Sequence, residues 1–163
     1  MPFSGMATRC RIDIVVEGIT RCRIYRHFDG YPSGVIADLY IFMKNYDSKP
    51  SENPESFLSN FIFYAKLSSW IKAVRKGGRP NTIRHSWECG YGVCAPDCEH
   101  GDLEYAYIVE DHVIKIVRPG SNTVLFEGTI DEAYKQFAAG EEFPDGCHID
   151  KKVFNTQKLP ASI

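Results

Sequence analysis

Tyr25-Arg26-His27-Phe28-Asp29-Gly30-Tyr31-Pro32 gathers three ionisable side chains, three aromatics and two turn formers into eight residues. On its N-terminal side Ile19 to Ile24 have strand character. On its C-terminal side Ser33 is placed to cap a helix carried by Val35, Ile36, Leu39, Tyr40 and Met43. The stretch therefore reads as a strand-turn-helix corner. The unbonded N–H groups of Gly34, Val35 and Ile36 would then face the same mouth as Arg26 and His27, an arrangement suited to phosphate or carboxylate. The plainer reading has Asp29-Gly30 making the turn, Pro32 fixing the helix entry and the rings filling the core below. Turn chemistry explains Asp29, Gly30 and Pro32, but it leaves Arg26 and His27 without a reason.

The same stretch resembles the Y-R-H-[W/F]-D-G-Y-P signature of a family of small proteins encoded by phage, archaeal-virus and prokaryotic genomes. Further on, His100-Gly101-Asp102-Leu103-Glu104-Tyr105-Ala106-Tyr107 is similar to a second block of that family, H-G-D-[I/L]-E-Y-x-Y. Both blocks occur in the family's order, and with their flanks they span residues 7–140. Phe28 stands where tryptophan is usual, which keeps an aromatic plate and loses an indole N–H donor. The resemblance implies a fold and a site, not a reaction. The cysteine-rich stretch before the second block is not part of it.

Working outward, the chain has 163 residues, 44% of them apolar and 13% aromatic, enough for one domain with a substantial core. We expect a single domain over residues 7–150, with loose termini at 1–6 and 151–163. A net charge of −2 argues against a bulk nucleic-acid binder while allowing a small anionic ligand. The start, Met1 to Met6, lacks an apolar run with a cleavage site, and no stretch reaches the ~20 apolar residues of a membrane span. The expectation is a cytoplasmic protein, in the host cytoplasm if viral. There, six cysteines read as core thiols or metal ligands and not as a disulfide framework.

Residues 9–16 alternate, with Cys10, Ile12, Ile14 and Val16 on one face. The Glu17-Gly18 turn returns the chain with Thr20, Cys22 and Ile24 on that same face. The opposite face collects Arg9, Arg11, Arg21 and Arg23, an anion platform on one reading. Pairing with acids such as Asp13 and Glu17 is the favoured alternative. After a polar loop, Asn53-Pro54-Glu55 starts a long second helix. Its core stripe runs through Phe57, Leu58, Phe61, Ile62, Tyr64, Ala65, Ile71 and Val74 to the stop at Gly77-Gly78. Phe63, Lys66 and Trp70 lie off that stripe and suit a contact between copies in a homo-oligomer. Thr82 to Trp87 has the alternation of a strand.

Cys89, Cys94, Cys98 and His100 place three thiols and an imidazole within twelve residues of glycine-bearing loop. Those are zinc's preferred donors, although the spacing lacks a C-x2-C knuckle; the reading is a structural zinc or, failing that, oxidisable loop thiols. Cys147-His148 is too isolated to be a ligand pair. From Leu103 to Glu127 the pattern is an antiparallel meander, and Thr129-Ile130-Asp131-Glu132 is a capping box opening a short helix.

The fold class expected is α+β: an N-terminal β-hairpin, two helices, an antiparallel meander and a short C-terminal helix, with the helices on one face of the sheet. The expected ligand site joins Arg26, His27, Asp29 and Tyr31 to Asp102, Tyr105 and Tyr107. Arginine would take phosphate, histidine would donate or accept a proton and the tyrosines would stack on a base. Three function classes follow. One is a binding protein for a phosphorylated or nucleotide-like small molecule, which the viral resemblance extends to counter-defence by sequestering a host signalling nucleotide. The second is a phosphodiesterase or other hydrolase using catalytic His27 with Asp29 or Asp102, but no P-loop, G-x-S-x-G or Rossmann fingerprint supports it. The third is a protein-binding inhibitor of host machinery. Both motif blocks also suit rigid packing corners.

Overall fold

The computed structural model describes residues 7–77 and 90–138. The expected strand at 82–87, Cys89, Cys147-His148 and both expected loose termini lie outside the described residues. In chain order the elements are β1 (Cys10–Val16), β2 (Ile19–Arg26), α1 (Pro32–Tyr46), α2 (Pro54–Arg75), β3 (Tyr91–Cys94), β4 (Tyr105–Val109), β5 (Ile114–Arg118), β6 (Thr123–Gly128) and α3 (Ile130–Ala133). A π-helical turn, Tyr134–Ala138, continues α3. The strands form one six-stranded sheet in the order β3-β2-β1-β4-β5-β6. All neighbours are antiparallel except β1 and β4, which run parallel and join the hairpin to the meander. The architecture is α+β, with helices packed on the sheet.

Glu17 and Gly18 both take positive φ, 55° and 74°, and connect Val16 directly to Ile19 across a two-residue turn whose twist matches the strands. A bulge at Arg21 interrupts the alternation. Cys22 pairs with Ile14, but Thr20 pairs with Val15, so Thr20 leaves the face on which the alternation had placed it. On the covered face Cys10, Ile12, Ile14, Ile24, Tyr107, Val109, Ile114 and Ile116 are fully or almost fully buried. α2 packs over β1, β2 and β3, while α1 bridges α2 to α3 and the π-helical turn. Phe42 of α1 sits at the centre of this layer, with its ring 5.3 Å from Phe57, 5.5 Å from Phe61 and 5.9 Å from Tyr64.

Three local expectations change. The first residue of α1 is Pro32, not a residue after Ser33, and Tyr31 occupies the N-cap without a side-chain bond. Proline's fixed φ and missing N–H suit the first helical position, so no hydroxyl cap is needed. Val74 is 53% exposed. At 100° per residue it falls on the side of Phe63 and Trp70, not that of Phe57 and Phe61. Tyr91–Cys94, read as loop, is a strand paired with β2 and, among the described residues, the last of the sheet. Among the described residues no helix is long and apolar enough to cross a membrane.

Candidate functional site

β3 pairs Cys94 with Arg23, on the face opposite the helices. Beyond it, the Cys98 N–H bonds the Ala95 carbonyl at 2.9 Å, closing a turn that brings Cys98 back toward Cys94. Arg23 fixes that turn by donating from Nη1 to the Cys98 carbonyl at 2.7 Å. His100 follows two residues later, with Nε2 3.5 Å from Cys98 Sγ. The donor atoms of Cys94, Cys98 and His100 all lie within 4.8 Å of one another, and the group could hold a metal ion. A tetrahedral zinc with Zn–S of about 2.3 Å and Zn–N of about 2.0 Å separates sulfur from nitrogen by about 3.5 Å, so the spacing of Cys98 and His100 fits the ion. Without metal, burial pushes the Cys94 thiol up to about 11, and the neighbouring Cys98 adds to the rise. Cys89, the fourth expected donor, is outside the described residues.

The arginines on this face are paired. Asp13, only 4% exposed, takes Arg23 at 2.6 Å and Arg11 at 3.2 Å. Arg21 lies 3.9 Å from Glu17, and Arg9 lies 3.7 Å from Asp102. The platform is a set of ion pairs, as the acidic neighbours in the sequence suggested.

A line of rings connects the sulfur–imidazole group to the corner. His100 stacks on Tyr25, with centroids 3.9 Å apart and planes 16° apart. The Tyr25 hydroxyl is 2.7 Å from His27 Nδ1, and His27 meets Phe28 edge-on at 4.5 Å. Burial and the charge of Arg9 lower the His27 pKa below its ordinary value of 6.5, and which of the two groups donates in the bond to Tyr25 follows the imidazole tautomer. Phe28 and Tyr31, in the connection from β2 to α1, are 44% and 49% exposed. Between them Asp29, and not Gly30, takes the left-handed conformation, with φ 58°. Gly30 lies against β1, its N–H bonding Thr8 at 2.8 Å, and its carbonyl accepts from the buried Tyr107 hydroxyl at 2.6 Å. The two sequence blocks therefore meet twice, through Tyr107 with Gly30 and through His100 with Tyr25.

The sheet divides the expected ligand set. Tyr25, His100 and Cys94 belong to the open face, whereas the register puts Arg26, Tyr105 and Tyr107 on the helix side. There Arg26 Nη1 donates to the Tyr91 hydroxyl at 2.6 Å and approaches Asp38 Oδ2 at 3.4 Å, while Tyr91 donates to Asp38 at 2.7 Å. Burial works against the Arg26 charge, but Tyr91 and Asp38 more than offset it, so the guanidinium stays charged inside this network. Arg118 lies 5.5 Å over the Tyr105 ring. Asp102, its side chain 93% exposed, points to Arg9 from the open side.

Sequence reading missed Asp38 and Tyr91, and it grouped Arg9 with the arginine platform and not with the corner. Asp38 had a visible signal, a lone acid within the apolar run from Val35 to Met43. Tyr91 had none short of knowing that β3 exists. Comparison with protein-family models, with curated proteins and with solved structures returns no match for this chain.

Proposed function

We propose that the protein is a binding module for a small planar anion of the nucleotide class, held at the open-face corner of Tyr25, His27, Phe28 and Tyr31. Zinc at Cys94, Cys98 and His100 fastens the loop that completes the corner. One observation carries this reading: the stacked and hydrogen-bonded line His100–Tyr25–His27, which ties the sulfur–imidazole group to the exposed aromatics. Phe28 and Tyr31 offer ring faces on which a base gains about 1–3 kcal/mol by stacking. His27 supplies an imidazole, and Arg9 supplies the nearby positive charge in place of Arg26, which is engaged on the other side of the sheet. The family resemblance adds the setting, sequestration of a host signalling nucleotide in the host cytoplasm.

The test is mass spectrometry of a panel of cyclic and linear nucleotides incubated with purified protein, read before and after heat denaturation. Sequestration predicts a nucleotide that disappears and returns intact, with affinity reduced at least tenfold by His27→Ala. A nucleotide that returns as a new mass makes the protein a hydrolase. A panel left unchanged turns the reading toward a protein-binding inhibitor.

A further inference from the structure

We propose that Cys94 and Cys98 are an oxidation site: a small peroxide joins their sulfurs in an intramolecular disulfide, and a metal held by those thiolates leaves. The loss of metal rests on the zinc reading above, whereas the thiol pair rests on geometry alone. Of the described cysteines, Cys10 and Cys22 belong to the helix side of the sheet, where Cys10 is fully buried and the Cys22 thiol donates to the Pro54 carbonyl at 3.4 Å. Cys94 lies on the open face, and the turn closed by the Cys98 N–H and the Ala95 carbonyl brings Cys98 back toward it. Their sulfur atoms are within 4.8 Å of each other, and the two thiols share a hydrogen bond. Sulfurs already in contact close to a bond of about 2.05 Å by a change in side-chain torsions. Arg23 meanwhile holds the backbone of the turn through the Cys98 carbonyl at 2.7 Å.

An oxidant reaches the pair from outside. Both thiols are half-buried and line a groove of about 490 Å³ with Tyr25, Val93, Ala95 and His100, ample room for hydrogen peroxide. In the metal-free pair one sulfur takes an oxygen from the peroxide as a sulfenic acid, the O–O bond breaks and one water leaves. The second thiol then attacks that sulfur, the S–S bond forms and a second water leaves. Two electrons and two protons thus pass from the thiols to the peroxide. In the metal-bound pair the two thiolates supply the electrons, solvent supplies the two protons and the divalent ion departs. A disulfide sulfur carries no thiolate charge, so His100 is all that remains of the three donors. Oxidation therefore changes what holds His100, the ring that stacks on Tyr25 of the proposed ligand corner.

The experiment treats the full chain, metal-free and zinc-loaded, with equimolar hydrogen peroxide. Remaining thiols are blocked with N-ethylmaleimide under denaturing conditions, and the chain is cut at Asp97, which lies between Cys94 and Cys98. Mass spectrometry then reads the fragments, and a chromogenic chelator reads released zinc. The expected result is that in both forms the two fragments stay joined until reduced, with Cys89 blocked and Cys94 and Cys98 unblocked. The zinc-loaded chain should release its ion as the disulfide forms, and dithiothreitol with added zinc should restore it. A blocked Cys94 or Cys98, or a bond from either to Cys89, would overturn the pair while leaving zinc in place. A disulfide that forms with zinc still bound would overturn the coupling. A chain that takes up no zinc yet joins Cys94 to Cys98 defeats the zinc reading and supports the oxidation site.

Discussion

Gly30 has no room for a side chain. A Cβ there would lie 2.7 Å from the Thr8 carbonyl oxygen and 2.8 Å from Cys10 Cβ, and neither neighbour is the free end of a flexible group. Gly30→Ala should therefore cost about 1–3 kcal/mol through overpacking. Tyr107→Phe should cost about 1–3 kcal/mol by stranding the Gly30 carbonyl. Urea midpoints measure both, and the double variant should lose less than the sum, because the two residues share one contact. Unchanged midpoints would mean that this junction does not hold the corner. The sequence marked this glycine for the wrong reason. Asp29-Gly30 reads as turn chemistry, which is local, whereas the real constraint is Thr8 and Cys10 pressing from another strand, which composition cannot show. Arg26 and His27 stood out because turn chemistry left them unexplained, and only the structure separates them: the register puts Arg26 on the helix side, while His27 bonds Tyr25 of the open face.

At the scale of elements, the loop between α1 and α2 is tied to the β4–β5 turn by Ser51, whose amide donates to Asp111 at 2.9 Å and whose hydroxyl also donates to that carboxylate. Partial burial raises the Asp111 pKa, but the Ser51 bonds, His112 and Lys49 outweigh it and hold the carboxyl below its usual 3.8. A depressed carboxylate gives stability that is present above the unfolded value and lost as pH falls through the folded one. Ser51→Ala should lower stability at pH 7 by less than about 1 kcal/mol, since the pair is exposed. Denaturant curves for the two proteins should converge in strong acid, and a gap that persists there would assign the effect to packing. Elements held by local chemistry were legible. The capping box forms both of its bonds, Thr129 N–H to Glu132 at 2.9 Å and Glu132 N–H to Thr129 at 3.1 Å. β3 was not legible, because Tyr91-Gly92-Val93-Cys94 becomes a strand only by pairing with β2.

For the whole molecule, β3 is bonded among the described residues to β2 alone, and the loop after it is held by Arg23 and by the stack of His100 on Tyr25. On the zinc proposal, removing the metal with a chelator should therefore loosen one region. Amide exchange should accelerate across residues 91–104 and stay unchanged in β4, β5 and β6. Uniform acceleration would mean that the metal supports the entire fold, and no change would mean that it supports none. The α+β class was readable because hairpin, helices and meander each carry their own periodicity. The parallel contact of β1 with β4 was not, since it joins strands separated by both long helices and neither sequence advertises the other. That contact also sets an order of events in folding. The β1–β2 hairpin and the β4–β6 meander can each close over short loops, while their seam must wait for the chain between them to collapse and bear a larger loop-closure entropy. Until it closes, the inner edges of both halves are bare strands, so a newly made chain is most exposed to mispairing with its neighbours at the strands that end up in the middle of the finished sheet.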